Sequence, residues 1–409
     1  MTADNFFDEE LSQSERILYD RQFRLDGWDQ RVLKEATVLV AGVGGLGCEI
    51  AKNLTMVGVG TLHLVDLDVI EHTNLNRQFL FVGAPMGAPK ATVAARRLEE
   101  INPNVTVVGH HGSLERLDPF LYREADVIVG GLDSVNARLN LNAQAVRFGK
   151  PLVDGGVSGY HGHVYTTFPG ENACYECYPV SEPEVDDMAA CTVVGVPRKR
   201  THCALKAVMA FVERHGRDPN PRSRSDVEEV VAEANELVRT HDFPPPFTLK
   251  EVMSLIDRHD PGLITVNAVV ASLQSHETIK LLFWLAGNEN LGSPNRSYII
   301  YNGMTCKFYS FEKPRNPDCT QCGDHVSRAD VQLSSAAPAS SILEKLEAAG
   351  HALDPDLVPV ITVNDFDQVR EVDPDRTVAE NGLRHLELLN VAGFKEGEVL
   401  VTLLLDGKK

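Results

Sequence analysis

A short apolar run that ends in a glycine-rich turn constrains this chain more than any other feature. Val38–Ala41 is uninterrupted by polar residues, and the glycines after it follow a G-x-G-x-x-G pattern. The run predicts a buried strand, and Cys48–Val57 the helix that leaves it. Glycines let backbone approach a ligand closely, and a helix N-terminus offers unpaired N–H groups to phosphate. We therefore expect nucleotide binding at Gly42, Gly44, Gly45 and Gly47.

Charged residues downstream of the glycines narrow the kind of nucleotide. A second predicted strand, Thr61–Val65, ends at Asp66, whose carboxylate is placed to accept from ribose hydroxyls. A nicotinamide dinucleotide enzyme needs little more, but Arg77 and Lys90 add two positive charges. Two cations beyond the ribose favour a triphosphate whose phosphates take part in the reaction. An NAD(P) oxidoreductase stays open as an alternative if both cations point away from the glycines.

The first 170 residues alternate between strand-like and helix-like segments. This order predicts an α/β fold with a mostly parallel, doubly wound, Rossmann-like sheet. The predicted strands are Thr37–Ala41, Thr61–Val65, Val105–Val108, Asp126–Val129, Pro151–Asp154 and His161–Phe168, and the predicted helices are Gly47–Val57, Lys90–Ile101 and Val135–Phe148.

The composition limits the function classes. The chain has 409 residues and a formal charge of −19, which argues against nucleic-acid binding as its main task. The acidic N-terminus predicts no secretory signal, and no apolar run reaches the length of a membrane span. We therefore expect a cytoplasmic protein whose eight cysteines are reduced, so that thiol pairs serve metal binding or catalysis and do not form disulfides.

The second half of the chain predicts an insertion and a separate small domain. Residues 178–260 change to acidic, proline-rich and helical character, and the sheet domain resumes over 261–331 with a long helix and a hairpin around Asn302-Gly303. Residues 332–343 have the composition of a linker. Beyond it, 344–409 predicts a helix at Ile342–Ala349, a strand at Val358–Val363, a helix near Arg384–Leu389 and a strand at Val399–Leu405, an order compatible with a β-grasp fold.

Four cysteines form two Cys-x-x-Cys pairs. Two such pairs supply the four thiolates of a closed tetrahedral zinc site, and prolines close to both pairs favour loops. A redox Cys-x-x-Cys is the alternative, but that motif normally occurs once and opens a helix. The expected zinc ligands are Cys174, Cys177, Cys319 and Cys322.

These motifs together resemble the ThiF/MoeB and ubiquitin-activating superfamily. The resemblance is carried by residues 65–81, by Pro89-Lys90 and by Gly131–Arg138. It implies that ATP binds with Asp66 at the ribose and Asp133 on Mg²⁺. It implies further that Asn74, Arg77 and Lys90 contact the phosphates. Asp68, which lies in the same segment, is expected in the same site.

A later segment, residues 189–203, is similar to the catalytic cysteine segment of the NEDD8- and SUMO-activating catalytic subunits. By that similarity Cys191 is a thioester nucleophile, Thr192 is a polar neighbour able to assist, and Cys203 is a structural companion. The remaining cysteines, Cys48 and Cys306, are expected in the core. The similarity also identifies 178–260 as a catalytic cysteine insert and 344–409 as a ubiquitin-fold domain.

The segment Tyr19–Arg24 resembles the arginine motif that MoeB-type proteins donate to a partner's ATP. If Arg21 has that role, one chain holds both the nucleotide site and the donated arginine, and a homodimer is expected. The NEDD8- and SUMO-type catalytic subunits depend on a second chain for this arginine, so the resemblance to them is incomplete here.

The resemblance implies adenylation of the C-terminal glycine of a ubiquitin-like protein, thioester formation on Cys191 and transfer to a conjugating enzyme. The small C-terminal unit carries 14 acidic and 7 basic side chains, which suits a basic partner by electrostatic steering but equally suits a merely soluble domain. Two alternatives stay open: a ThiF/MoeB-type sulfur-carrier adenylyltransferase without a thioester, and a non-enzymatic scaffold.

Overall fold

The computed structural model describes residues 11–178, 200–256, 262–365 and 368–408. The chain divides into two compact units, with boundaries after Tyr178 and before Gly262. The first unit contains both ends of the chain, and residues 179–261 form the second. Among the described residues, no helix has both the length and the apolar character that a membrane crossing requires.

The first unit is built on a sheet in the order β3-β2-β1-β4-β5-β6-β7-β8. The strands from β3 to β5 are parallel, and β6, β7 and β8 extend the sheet antiparallel. The predicted fold class, parallel through its first five strands, is confirmed. The strand bounds are β1 Thr37–Ala41, β2 Thr61–Asp66, β3 Thr106–His111, β4 Val127–Gly130, β5 Leu152–Ser158, β6 His161–Thr167, β7 Tyr298–Asn302 and β8 Lys307–Phe311.

Helices cover both faces of this sheet. One face buries a large apolar cluster under the helices 45–57, 90–101 and 264–285, and the other buries a smaller cluster around Tyr122, Leu141 and Ala145. The helices of the first unit up to the insertion are α1 Gln13–Leu18, α2 Gln30–Glu35, α3 Gly45–Val57, α4 Lys90–Ile101, α5 Pro119–Glu124 and α6 Val135–Arg147.

The second unit is helical where it is described. Its helices are α7 Arg200–His215, α8 Arg224–Thr240 and α9 Leu249–Ile256. They bury Phe211, Val230, Val252 and the thiol of Cys203 in one apolar cluster. The first unit then resumes with α10 Ile264–Leu285.

A second sheet follows in the order β11-β10-β12-β13-β9, with α11 Ser341–Ala348 contributing to its core. Its first and last strands, β9 and β13, are adjacent and parallel, and the other pairs are antiparallel. The bounds are β9 Ser327–Leu333, β10 Val360–Asp365, β11 Gln368–Glu371, β12 Glu387–Phe394 and β13 Gly397–Leu405.

This second sheet domain differs from the sequence expectation in two places. The helix expected near Arg384–Leu389 is wrong, because Glu387–Phe394 pairs with β10 and β13 as a central strand. The sheet also begins at Ser327, so Gln332 and Leu333 belong to a strand although the linker was predicted over 332–343.

Candidate functional site

The glycine turn after β1 is shaped by close backbone contacts. Gly42 has φ +86°, and a β-carbon there would lie 2.7 Å from the carbonyl oxygen of Gly131. A β-carbon at Gly47 would lie 1.9 Å from the carbonyl oxygen of Gly42. Gly44, by contrast, has open space: its nearest neighbour would be Gln78 Nε2 at 3.9 Å. The turn is therefore packed from below and open above Gly44, where α3 begins.

Asp66 ties the end of β2 to this turn. Its Oδ2 accepts from the backbone N–H of Val43 at 2.6 Å, and its Oδ1 accepts from the N–H of Asp68 at 2.8 Å. Burial raises the pKa of Asp66, although the charge of Lys90 and the two amide bonds act in the opposite direction. The carboxylate thus stands beside the glycine turn at the carboxyl end of a parallel strand, where ligands bind in doubly wound folds.

Lys90 reaches the same place from the start of α4. Its Nζ lies 2.8 Å from Asp68 Oδ2, and its backbone N–H donates to the carbonyl of Asp68 at 3.0 Å. Val69 and Pro89 form an isolated antiparallel bridge alongside. Lys90 is only 5% exposed, so its ammonium group is held within the site rather than spread into solvent.

Asn74 and Arg77 follow on the loop after β2. Asn74 is buried, and its Oδ1 accepts from the N–H of Glu71 at 2.9 Å. Arg77 Nη1 donates to the carbonyl of Thr73 at 3.0 Å. The Arg77 side chain passes directly over the glycine turn, because a β-carbon at Gly45 would lie 3.5 Å from its Cδ.

Asp133 is exposed and lies between the end of β4 and the start of α6. The loop is held against the glycine turn: Gly131 N–H donates to the carbonyl of Ala41 at 2.8 Å, and Ser134 caps α6 by accepting from Ala137 N–H at 3.1 Å. The structure therefore collects all the predicted nucleotide-site residues, from both sides of the glycine turn, at one edge of the sheet.

Three further polar residues of the site were not found from the sequence. Asn267, 4% exposed, comes so close that a β-carbon at Gly45 would lie 2.2 Å from its Nδ2. Gln78, 3% exposed, faces Gly44, and Arg138 binds the loop that precedes Asp133. Gln78 directly follows Arg77, and Arg138 is the last residue of the motif that contains Asp133. Both positions could therefore have been predicted from the sequence. Asn267 is 222 residues away from Gly45 in sequence (267 − 45), and no local pattern points to it.

Arg21 lies at the far end of α3 from the glycine turn. Its neighbour Gln22 donates from Nε2 to the carbonyl of Val57, the last residue of that helix, at 3.0 Å. Twelve residue steps along α3 separate Val57 from Gly45, a distance of about 18 Å along the axis. Arg21 is exposed and is not brought to the nucleotide site of its own chain.

The four predicted zinc ligands converge. The Sγ atoms of Cys174, Cys177, Cys319 and Cys322 all lie within 4.8 Å of one another. The separations include 3.7 Å for Cys174–Cys319, 4.0 Å for Cys174–Cys177 and 3.4 Å for Cys177–Cys322. A tetrahedron with zinc–sulfur bonds of about 2.3 Å has edges of about 3.8 Å, so the cluster fits zinc.

Backbone amides support the thiolate form of this cluster. Asn316 N–H donates to Cys177 Sγ and Gln321 N–H donates to Cys319 Sγ, each at 3.4 Å. Zinc there would join the loop after β6 to the segment that leads into the second sheet domain. The redox alternative is disfavoured because the two pairs face each other in one buried cluster.

The other cysteines divide between core and surface. Cys48 is fully buried, as expected, and Cys203 is buried in the helical unit, where burial raises the pKa of its thiol. Cys306 was expected in the core and is exposed instead. It lies in the turn before β8 with φ +53°, and β8 is an edge strand whose residues are all exposed, so neither the turn nor the strand offers Cys306 a buried face. Cys191 and Thr192 lie outside the described residues.

Comparison with known proteins agrees with this site. A family model described as the ThiF family matches residues 19–321. The NEDD8-activating enzyme E1 catalytic subunit of Saccharomyces cerevisiae is 36% identical over 309 residues, which cover 72% of this chain and 99% of the relative. The protein of the same name from Arabidopsis thaliana is 31% identical over 326 residues, 76% of this chain and 70% of the relative.

The crystal structure of E. coli MccB with AMPCPP and MccA is similar in fold, with a TM-score of 0.51 and 23% identity over 78% of each chain. At that identity the likeness shows the fold alone.

The Rossmann-like sheet with its glycine turn, flanking cations and four-cysteine cluster defines a nucleotide-dependent enzyme, and the chain belongs to the ThiF family. Within that family it is a ubiquitin-like modifier activating enzyme, an ATP-dependent activator of a ubiquitin-like protein for thioester transfer, and it groups with the NEDD8-activating enzyme E1 catalytic subunits.

Proposed function

We propose that the protein activates a NEDD8-type modifier, by adenylating its C-terminal glycine and then transferring it to Cys191. The observation that carries the proposal is the position of Arg77 over the glycine turn, with Lys90 beside Asp66 and Asp68. The Arg77 side chain contacts the turn through its Cδ, and the Lys90 ammonium lies at the neighbouring end of β2, which supports phosphate binding there and disfavours a dinucleotide hydride site. The relatives' printed names support NEDD8 as the first modifier to test.

In the first step, a carboxylate oxygen of the terminal glycine attacks the α-phosphorus of ATP, and pyrophosphate leaves. The open space above Gly44 admits the phosphates, and the N–H groups of Gly44, Gly45 and Gly47 face them at the start of α3. Asp66 binds the ribose, as its place at the end of β2 supports. Gly42 shapes the turn through its positive φ.

Charge on the phosphates is stabilised by Arg77 and Lys90, with Asn74 as a neutral contact. Asp68 holds Lys90 in place through the 2.8 Å pair. Asp133 would hold Mg²⁺, and its exposure beside the glycine turn suits an oxygen ligand that keeps several waters. Bound there, Mg²⁺ would neutralise phosphate charge.

In the second step the thiol of Cys191 attacks the carbonyl carbon of the acyl adenylate. A carbon–sulfur bond forms, the carbon–oxygen bond to AMP breaks with AMP leaving, and the thiol proton passes to solvent, with Thr192 as a polar neighbour able to assist. A deeply lowered thiol pKa is unnecessary because the acyl adenylate is already an activated electrophile. The residues 178–260 would form the catalytic cysteine insert.

Zinc has a structural role in this proposal. The four-cysteine cluster is closed, with no position left for a substrate. It lies beside Tyr178, where the chain leaves the first unit, and between the hairpin and the second sheet domain. We therefore place residues 1–177 and 261–331 in one adenylation domain that zinc joins together.

A second chain is proposed to complete the site. Arg21 is too far along α3 to serve its own nucleotide, so it would act across an interface. We propose a homodimer with reciprocal Arg21 contacts. The alternative is a separate regulatory subunit, which the word "subunit" in the relatives' names favours.

The thioester would pass to the cysteine of a conjugating enzyme. The second sheet domain is the proposed docking element, as a ubiquitin-fold domain over 344–409, and its excess of acidic side chains suits a basic partner. We propose a cytoplasmic location, which the need for ATP and for reduced thiols supports.

The test is incubation with Mg·ATP and NEDD8, with SUMO and ubiquitin in parallel. We expect a NEDD8 adduct on non-reducing gels that is lost with reductant and absent from Cys191→Ala. Cys306→Ala is the matched control because it removes an exposed cysteine from the other unit. ATP–pyrophosphate exchange without any adduct would favour the sulfur-carrier alternative, and absence of exchange with all three modifiers would refute the proposal.

A further inference from the structure

The loop that carries Asp133 is held by one arginine from the first turn of α6. Arg138 Nη2 donates to the carbonyl oxygen of Leu132 at 2.6 Å and to that of Gly155 at 3.1 Å. The peptide plane that contains the Leu132 carbonyl also contains the N–H of Asp133. Fixing this oxygen therefore fixes the backbone orientation from which the Asp133 side chain projects.

The guanidinium group is itself held on its other side. Nη1 donates to Asp154 Oδ2 at 3.0 Å and lies 3.1 Å from His163 Nε2. The side chains of Arg138 and Asp154 are 10% and 6% exposed. Burial of a charge on this scale is costly without a partner, so Asp154 keeps the arginine in the interior.

The fit around this group is close. A β-carbon at Gly156 would lie 2.5 Å from Arg138 Nη2 and 2.5 Å from His163 Cε1. Burial acts to lower the pKa of Arg138, but Asp154 and the other titratable groups around it, Asp133 among them, together outweigh burial and the pKa is raised. The arginine stays charged, and the close contacts on both sides of the guanidinium restrict its orientation.

The opposite side of the Asp133 loop rests on the glycine turn. Gly131 N–H donates to the carbonyl of Ala41 at 2.8 Å, and a β-carbon at Gly131 would lie 3.1 Å from the backbone nitrogen of Gly47. The loop is thus fixed between the nucleotide turn and Arg138. A shift of the arginine would move Asp133 relative to the phosphates.

We propose that Arg138 is a positioning residue for the adenylation step, acting through the Leu132 carbonyl on Asp133 without touching the substrate. This inference rests on the proposed role of Asp133. Asp154 and His163 serve the same purpose one contact further out, by holding the guanidinium.

The test compares Arg138→Gln and Arg138→Lys with Arg147→Gln. Arg147 lies on the same helix and also donates to a backbone carbonyl, that of Leu386 in the second sheet domain, at 2.6 Å. The readouts are kcat and KM for ATP in ATP–pyrophosphate exchange with NEDD8, and hydrogen exchange of the amides of residues 131–135.

A small displacement of a catalytic group costs on the order of 10²-fold in rate, so we expect Arg138→Gln to lower kcat by about that factor. KM for ATP should change by less than about threefold, since the residue does not bind ground-state ATP. Lysine keeps the charge but not the fork of donors, so Arg138→Lys should recover only part of the rate. Amides 131–135 should lose protection in both variants and keep it in Arg147→Gln.

The proposal is overturned if Arg138→Gln exchanges pyrophosphate at the wild-type rate, or if Arg147→Gln loses rate and protection equally. Should Arg138→Gln fail to fold, Arg138→Lys decides: unchanged kcat or unchanged protection at 131–135 overturns the proposal. Asp133→Asn distinguishes a failure of the proposed role of Asp133 from a failure of the positioning role of Arg138. If Asp133→Asn retains full exchange, the proposed role of Asp133 fails first, and the positioning role fails with it.

Discussion

Lys90 and Asp68 are joined twice, by a 2.8 Å ion pair between their side chains and by a 3.0 Å hydrogen bond between their backbones. The double connection places an ammonium group at the carboxyl edge of the sheet before any nucleotide binds. Because the Asp68 side chain is 54% exposed, water can replace the ion pair if Lys90 turns to phosphate as proposed. Asp68 therefore holds the Lys90 ammonium group next to the proposed phosphate site.

Lys90→Met should therefore affect chemistry far more than folding. We expect ATP–pyrophosphate exchange to fall by about 10²–10³-fold, the cost of removing one charge-stabilising donor. The unfolding free energy should change by no more than about 1 kcal/mol, since methionine fills the buried part of the lysine site and the Asp68 left behind is 54% exposed and stays hydrated. Exchange assays and thermal unfolding measure the two effects.

Lys34→Met is the matched control, because Lys34 forms an ion pair with Glu15 at 3.0 Å in the N-terminal segment. It should leave exchange unchanged. Equal loss of exchange in both variants would show that the Lys90 effect is not local.

The glycines of the turn make separable predictions. A β-carbon at Gly47 meets the Gly42 carbonyl at 1.9 Å, which neighbouring backbone cannot avoid, so Gly47→Ala should destabilise the protein by about 1–3 kcal/mol or more. Gly44→Ala finds its nearest atom at 3.9 Å and should fold normally. The added methyl group would, however, occupy space that the phosphates approach, and ATP affinity should fall.

Thermal unfolding and calorimetric ATP titration distinguish the two glycine variants. Wild-type stability in Gly47→Ala would contradict the backbone contact described for the turn. Wild-type ATP affinity in Gly44→Ala would place the phosphates elsewhere.

The parallel half of the sheet was predictable because its signals are local. Thr37–Ala41 is buried almost throughout and is followed by the glycines that end it, and the predicted and observed bounds agree. The cysteine pairs were predictable for a similar reason: thiolates spaced by two residues form one half of a metal site, and only a matching half was needed.

The predictions that failed concern features that depend on tertiary contacts, which no local sequence pattern shows. Glu387–Phe394 was predicted as helical at its start, yet it is a strand because β10 and β13 flank it on both sides. Cys306 looked like a core residue of β8, but it lies in the hairpin turn, and β8 is an edge strand whose residues are all exposed. Asn267 comes to Gly45 only through the packing of α10 against α3, which no spacing in the sequence reveals.

Loss of zinc should destabilise the region where the loop after β6 meets the segment that leads into the second sheet domain. Cys319→Ser breaks the four-thiolate set, so we expect zinc to be absent by elemental analysis and the unfolding midpoint to fall. In domains of about 150–250 residues, each kcal/mol of lost stability lowers the unfolding midpoint by about 2–4 °C. Cys306→Ser should retain zinc and the wild-type midpoint. Full zinc content in Cys319→Ser would contradict the assignment of the ligands.

Two adjacent histidines predict how stability depends on pH. His63 Nδ1 lies 3.1 Å from His110 Nε2 on neighbouring strands, a contact that needs one ring to donate and the other to accept. Burial lowers the pKa of both, and for His63 the neighbouring His110 lowers it further while Glu124 acts in the opposite direction. Near pH 6 the unfolded chain therefore binds more protons than the folded one.

Stability rises with pH wherever the unfolded state binds more protons. The contribution of the pair is fully present above the ordinary histidine pKa of 6.5 and is lost as pH falls below it toward the lowered folded values. The wild-type unfolding midpoint should thus fall between pH 7 and 5.5 more steeply than that of His110→Gln. His276→Gln, an exposed histidine on α10, should keep the wild-type slope. Identical slopes in all three proteins would rule out the histidine pair as the cause.

The position of Arg21 predicts complementation between inactive variants. In the proposed homodimer, Arg21→Ala removes the group donated to the partner's site, and Lys90→Met disables the site itself. In a homodimer with reciprocal contacts, mixing the two variants gives mixed dimers with one intact site. If subunits exchange freely, half the dimers are mixed, and about a quarter of wild-type adenylation should return. Two copies of Arg21→Ala alone should stay inactive.

Light scattering should give twice the 44.9 kDa chain mass. A mass of one chain with no recovery on mixing would contradict the homodimer, and activity that appears only with an added second protein would identify a regulatory subunit as the source of the arginine.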